Sequence, residues 1–573
     1  MSTSARAPVF AIRRGFVLVL LAVAVLLLLW RVVYLHVLNK DFLQQQGDAR
    51  HLRVVALSAH RGMITDRYGE PLAISTPVDS VWANPQELIE ARDELPRLAK
   101  LLDLDLGKLQ RLLAGSGERE FVYLKRHISP NLAQQVMALN LPGVDLQREY
   151  RRYYPDGEVM AHVIGFTNID DAGQEGLELA YDDWLRGEPG AKRVIKDGKN
   201  RIVEDVESIR APRPGKDLVL SLDRRIQYLA YRELKAAVQD NKARSGSAVV
   251  LDMHTGEVLA MVNQPSYNPN NRKDLTGQQE RNRAVTDLFE PGSTMKPFTI
   301  ACALESGLYH PDTPIDARGG HFQVGRKTIS DVHDYGLIDV SRVIIKSSNV
   351  GASKIALSLP PQMMWNMFTQ MGFGSITGSG FPGEASGLLA NYHRWSEIEH
   401  ATLSYGYGLS VTPLQLAAAY STLALDGRRR PVTFLRTEQV VPSEALVSMK
   451  TVKELRTMME GVVSDEGTAN LARIPGYRVA GKTGTVKVAY EGGYADKRYL
   501  AVFAGFAPAS QPRLAMVVMI DEPKNGKIYG GQVAAPVFEH VMSGALRLLD
   551  IPPDNLPLLE TQSPPPPLKG GPA

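Results

Sequence analysis

Residues 16–30 form an unbroken apolar run, preceded by Arg13 and Arg14, and the apolar character resumes after Arg31 through Leu38. A helix over 16–38 is long enough to cross a hydrocarbon core of about 30 Å. Arg31 and His36 then fall near the far interface, where an arginine can snorkel to the headgroups. The run is long for the core of a signal peptide and no A-x-A pattern succeeds it, so it reads as a membrane anchor. Orientation cannot be taken from charge, because Arg6, Arg13 and Arg14 on one side nearly balance Arg31, Lys40 and Arg50 on the other.

Beyond the anchor the chain is globular in composition, and 573 residues leave room for two or more domains. A net charge of +3 gives no reason to expect nucleic acid as a partner. Cys302 is the only cysteine, which excludes an intrachain disulfide and a cysteine-rich metal site, and no H-E-x-x-H is present.

From residue 39 the chain is mixed and polar, with a helical pattern over 95–113. Two polar clusters stand out: Arg61 to Gly69 by way of Asp66 and Arg67, and Arg151, Arg152, Tyr153, Tyr154, Pro155 with Gly173 to Glu178 beyond. Neither pairs a nucleophile with a base, so both read as turns and ion pairs. Ala211, Pro212, Arg213, Pro214 and Gly215 form a breaker-rich linker. Beyond it a short strand over 218–222 precedes a helix from Asp223, its expected N-cap, to about Lys242. Residues 247–252 and 257–262 alternate around His254, Thr255 and Gly256 as a hairpin. Three more strands are expected at 478–488, 499–508 and 513–521, with a closing helix over 533–549. Strands at both ends of a helical stretch over 297–460 predict one antiparallel sheet flanked by helices, with a helical region inserted. Pro564 to Pro567 mark a disordered tail from 551.

The chemistry concentrates at Glu290, Pro291, Gly292, Ser293, Thr294, Met295 and Lys296. Proline then glycine cannot continue a helix but can start one, and the apolar residues after Lys296 continue it. A hydroxyl is a poor nucleophile until a base takes its proton, and Lys296 lies three residues from Ser293, on the same helical face. Desolvation and the positive end of the helix dipole both favour the neutral amine. This S-x-x-K occurs once. Ser347, Ser348, Asn349 come after it, and then Lys482, Thr483, Gly484, Thr485. The other S-x-N, Ser266 to Asn268, precedes the nucleophile and sits among Pro and Asn residues expected to form a loop.

That ordered trio, the tyrosine-glycine run Ser404, Tyr405, Gly406, Tyr407, Gly408, and the stretches Arg61 to Gly69, Arg151 to Asn168, Ser245 to Asn270 and Gly481 to Thr485 resemble the class B penicillin-binding proteins, the division type more than the elongation type. The resemblance implies an α+β chain: a cytoplasmic tail (1–15), one transmembrane helix (16–38), an elongated non-catalytic pedestal or dimerisation domain (39–215), and a penicillin-binding transpeptidase domain (216–550). It implies a serine D,D-transpeptidase of the inner membrane, N-terminus in the cytoplasm and catalytic domain in the periplasm, that cross-links septal peptidoglycan. Ser293 would be the nucleophile, Lys296 its base and Ser347 the proton carrier to the leaving amine. Ser347 would lie near both Lys296 and Lys482. Asn349, Lys482, Thr483, Gly484 and Thr485 would hold the substrate, with Lys482, Thr483 and Thr485 at its terminal carboxylate, and backbone N–H groups of Ser293 and Thr485 would form the oxyanion hole. Neither metal nor organic cofactor is implied. Partners would be stem peptides on lipid-linked precursor strands, β-lactams, and a septal glycan polymerase like FtsW with other division proteins. An elongation enzyme and a β-lactam sensor or hydrolase are the alternatives. Against hydrolysis, the E-x-x-x-N spacing fails at Glu384 to Asn391 and is met only at Glu466 to Asn470, read as a chance match in a loop.

Overall fold

The computed structural model describes residues 8–40, 52–116, 119–196, 202–437, 441, 443–490 and 493–556. The chain packs as two compact units whose segments interleave. One comprises 1–60, 76–151 and 187–215, and the other 61–75, 152–186 and 216–573. The linker at 211–215 is thus one of several points at which the chain passes from one unit to the other.

In the first unit the apolar helix Pro8–Val33 runs on as a π-helical turn, Tyr34–Leu38. A span of 27 residues, Ile12–Leu38, is long and apolar enough to cross a membrane. The strands Leu52–Leu57, Gly190–Lys196 and Ile202–Arg210 form a three-stranded antiparallel sheet. The helical pattern over 95–113 resolves into two helices, Leu95–Leu101 and Leu106–Ala114. Asp103 adopts a positive φ of 51° and Asp105 caps the second helix by accepting from the Lys108 N–H, so the periodic pattern is cut in its middle. Both helices bury leucines (Leu95, Leu98, Leu109, Leu113) in a separate small core.

The second unit is organised on a five-stranded antiparallel sheet in the order Val258–Gln264, Ser245–Asp252, Leu514–Asp521, Gly493–Ala507, Ala480–Tyr490. The strands Ser245–Asp252 and Leu514–Asp521 are buried at every position, because helices cover both faces. Arg224–Asp240, Pro413–Leu425 and Ala535–Leu548 pack on this sheet. Asp223 caps the first of them, its carboxylate accepting from the Arg225 N–H at 2.9 Å. The α+β arrangement read from the sequence is the one observed.

Three expectations change. The strand at 218–222 shrinks to Leu218–Val219, which pairs in parallel with Ile64–Thr65. The stretch 297–460 is not purely helical: it contains the two-stranded pairs Pro314–Ala317 with Gly336–Asp339 and His321–Val324 with Lys327–Ser330. Four-residue strands with mostly solvated side chains leave too short an alternation to read. The expected disorder from 551 does not hold at its start. Asp554 accepts from the backbone N–H groups of Arg478 and Ser510, Asn555 donates to the Gly476 carbonyl, and the Tyr477 hydroxyl donates to the Ile551 carbonyl. The remainder of that tail, 557–573, lies outside the described residues.

The two polar clusters of the sequence meet inside this unit as a buried ionic knot. The Arg61 guanidinium donates to Glu178 at 2.8 Å and to Asp182 at 2.7 Å, and Arg152 donates to the other Glu178 oxygen at 2.6 Å. Arg61, Arg152 and Glu178 thus form the ion pairs read for their clusters, with Asp182 as a further partner of Arg61.

Candidate active site

Proline and glycine set the geometry of the nucleophile. Gly292 takes a positive φ of 57°, which glycine adopts at little cost, and the chain then turns through one 3-10 segment, Gly292–Met295, into the helix Lys296–Glu305. The Thr294 hydroxyl donates back to the Pro291 carbonyl at 2.7 Å, and the buried Tyr420 hydroxyl donates to the Thr294 carbonyl at 2.8 Å. Ser293 is therefore held on a short turn fastened from both sides.

Lys296 opens the helix and is wholly buried. Its Nζ lies 2.9 Å from Ser293 Oγ, 3.1 Å from Ser347 Oγ, 2.8 Å from Asn349 Oδ1 and 2.6 Å from the Ser347 carbonyl oxygen. An ammonium has three protons to give, and four oxygens surround this nitrogen. Uncharged, it keeps two protons and a lone pair, and the lone pair can receive the proton of a hydroxyl. Burial is the main force holding its pKa well below the usual lysine value. The positive charge of Lys482 adds to that effect and the negative charge of Asp331 partly opposes it.

Ser347 supplies the third corner. It lies between the helices Val340–Ile345 and Asn349–Leu357, with a positive φ of 64° that a non-glycine residue holds only where its surroundings enforce it. Its hydroxyl also accepts from Lys482 Nζ at 2.9 Å, so one oxygen stands between two amines. Lys482 is fully buried, and burial lowers its pKa to about 7.

The strand carrying Lys482, Thr483, Gly484 and Thr485 is the edge of the five-stranded sheet, with Thr485 opposite Ala501. A Cβ at Gly484 would stand 3.0 Å from the Pro291 carbonyl oxygen and 3.2 Å from the Thr294 methyl, so glycine lets this strand lie against the nucleophile's turn. The Thr483 hydroxyl shares a 2.7 Å hydrogen bond with Thr468, and the Thr485 hydroxyl accepts from the Gly530 N–H at 3.1 Å. All eight residues singled out from the sequence lie within this one unit, and direct hydrogen bonds join Ser293, Lys296, Ser347, Asn349 and Lys482. Lys482 Nζ turns inward, donating to Ser347 Oγ at 2.9 Å and to the Thr483 carbonyl at 3.3 Å.

Sequence reasoning passed over Asp331 and Thr468. Asp331 sits in a loop without periodic pattern, and Thr468 lies inside the stretch set aside as a chance E-x-x-x-N. Glu466 of that stretch has an exposed side chain that pairs with Arg342 at 3.8 Å and Lys346 at 3.7 Å rather than with the Lys296 cluster.

Residues 246–543 match the family model described as the penicillin-binding protein transpeptidase domain, and residues 56–220 match the penicillin-binding protein dimerisation domain. The chain belongs to the penicillin-binding protein family. Among its curated relatives, the peptidoglycan D,D-transpeptidase FtsI of Escherichia coli K12 is 45% identical over 96% of this chain and 93% of its own length. A probable peptidoglycan D,D-transpeptidase, PbpC of Pseudomonas aeruginosa, is 43% identical over 94% of this chain and 95% of its own. The transpeptidase domain of penicillin-binding protein 3 from Burkholderia pseudomallei is similar in structure, with a TM-score of 0.55 and 45% identity, covering 59% of this chain and 98% of that one.

Proposed function

We infer that this protein is a peptidoglycan D,D-transpeptidase that works through an acyl-enzyme on Ser293. The single observation that carries the assignment of residues is the crowded, desolvated Lys296 amine 2.9 Å from Ser293 Oγ. In the first half-reaction Ser293 Oγ attacks the carbonyl between the two terminal D-alanines while its proton passes to Lys296 Nζ. Backbone N–H groups of Ser293 and Thr485 receive the developing oxyanion, each such donor contributing about a hundredfold or more in rate. When the C–N bond breaks, the departing D-alanine amine takes a proton from Ser347, and Lys296 re-protonates that hydroxyl. The ester is then attacked by an amine of a neighbouring stem peptide, which loses a proton, frees Ser293 and completes the cross-link.

Asn349 holds the peptide amide, and Thr483 and Thr485 hold the terminal carboxylate under the positive charge of Lys482. β-Lactams acylate the same hydroxyl. The substrate strands belong to the septum, and the chain spans the inner membrane once, N-terminus in the cytoplasm, beside an FtsW-like glycan polymerase and other division proteins.

Mass spectrometry after benzylpenicillin tests the core of this reading. One adduct per chain on the peptide containing Ser293, absent from Ser293→Ala, is expected. Modification at Ser347 instead, or an alanine variant that still labels, overturns the assignment.

A further inference from the structure

The Ser347 turn holds a strained backbone conformation and must present one hydroxyl to two amines, so something has to hold it there. The neighbouring contacts converge on a carboxylate outside the three motifs. One oxygen of Asp331 accepts the backbone N–H of Asn349 and, at 3.1 Å, that of Val350. The other accepts the Ser348 hydroxyl at 2.6 Å, while Ser348 Oγ itself accepts the Gly351 N–H at 2.8 Å. Asp331 thereby occupies the N-terminus of the helix Asn349–Leu357, where N–H groups lack partners within the helix and a negative charge is favoured. The carboxylate is itself placed by its backbone, which donates to the Gly320 carbonyl at 2.9 Å at the foot of the hairpin His321–Val324 with Lys327–Ser330. The preceding Ser330 carbonyl accepts from the Asn349 side-chain amide at 3.1 Å.

We propose that Asp331 is a positioning residue of this site, which clamps the Ser347–Asn349 turn so that Ser347 Oγ and Asn349 Oδ1 both face Lys296. The proposal rests on the acyl-transfer reading above and deepens it. Asp331 does not touch the reacting atoms; it acts through Ser348, Asn349 and Val350.

Its charge has a second consequence. The charged groups acting on Lys296 are Lys482 from the sheet edge and Asp331 from the hairpin, and they oppose one another. Asp331 also faces Tyr335 of its own loop, whose hydroxyl pKa it helps to raise. Removing the carboxylate charge leaves Lys482 unopposed and lowers the Lys296 pKa further. Free amine is then present at more acidic pH.

Asparagine and alanine at this position separate the clamp from the charge. Asparagine keeps an oxygen for the two backbone N–H groups and removes the charge, whereas alanine removes both. Acylation rates with a fluorescent penicillin, measured across pH on the intact chain, should fall about a hundredfold in Asp331→Ala, the scale of a misplaced catalytic group. In Asp331→Asn the loss should be smaller, and the acid limb should move to lower pH. If the alanine variant fails to fold, the asparagine profile still decides. An alanine variant that acylates like the wild type overturns the clamp, as does an asparagine variant whose rate at its pH optimum is undiminished, since asparagine lacks the second oxygen that accepts the Ser348 hydroxyl. An acid limb that stays in place, or moves to higher pH, overturns the charge effect on Lys296. A wild-type chain that takes up no penicillin sinks the acyl-transfer reading instead, so the two failures are distinguishable.

Discussion

Lys296 and Lys482 share the Ser347 hydroxyl and lie in space from which water is excluded, so the favoured state has at most one of them charged. Lys296 has its pKa lowered by burial and by the charge of Lys482, and it contacts Ser293 Oγ, which makes it the free amine, while Lys482, at about 7, keeps its proton through the acidic half of the neutral range. Acylation should therefore rise as pH climbs through the depressed Lys296 titration, and decline again near pH 7 as Lys482 loses the charge that orients Ser347. Stopped-flow β-lactam acylation against pH reads both limbs. Lys296→Arg should reduce acylation by about a thousandfold, the weight of a general base, with little change in thermal unfolding, since a guanidinium keeps its proton. An arginine variant acylating at near the wild-type rate would reduce Lys296 to an electrostatic role. The sequence showed Ser293 and Lys296 because their relation is local, three residues along one helix. Asp331 was illegible for the opposite reason: its partners reach it through a loop whose residues carry no periodicity. The depressed pKa of Lys482 depends on burial, which a motif does not display.

At the scale of elements, the tyrosine-glycine run gains a mechanical meaning that the motif alone did not carry. The Gly292 N–H donates to the Gly406 carbonyl at 3.1 Å, the Gly408 N–H donates to Glu290 at 2.9 Å, and Phe289 pairs with Val411. The residues leading to Ser293 are thus zipped to 406–411. The approach is so close that a Cβ on Gly406 would stand 2.1 Å from the Gly292 carbonyl oxygen, and Gly406 has a φ of 86° besides. Gly406→Ala should consequently displace the nucleophile's turn. We expect a destabilisation of about 1–3 kcal/mol, the cost of such backbone strain, with acylation lost out of proportion to it. Chemical denaturation read beside labelling checks this, and an alanine variant with normal labelling would show that the turn tolerates the shift. The sheet strands were legible because each carries a stretch of apolar or alternating apolar residues bounded by turn residues. The short pairs near Asp331 were not, and it is one of these hairpins that sets the clamp on Ser347.

At the scale of the whole molecule, the open matter is whether the N-terminal helix only tethers the enzyme. Its 27 residues span about 40 Å at about 1.5 Å per residue, against a hydrocarbon core of about 30 Å. A tether needs no such excess, although tilting can absorb it. The helix also ends in a π-helical turn, Tyr34–Leu38. Under the proposed function the helix packs on a membrane partner, the glycan polymerase of the septum. Replacing residues 16–38 with an unrelated spanning helix separates the two uses. Penicillin labelling of Ser293 should be unchanged in the chimera, because every residue bonded to the nucleophile lies in the second unit. In cells depleted of the native protein, the chimera should leave long filaments with intact side walls, since an active enzyme would be present but not recruited. Normal septation by the chimera would reduce the segment to a tether, and rounded cells on depletion would move the enzyme from division to elongation.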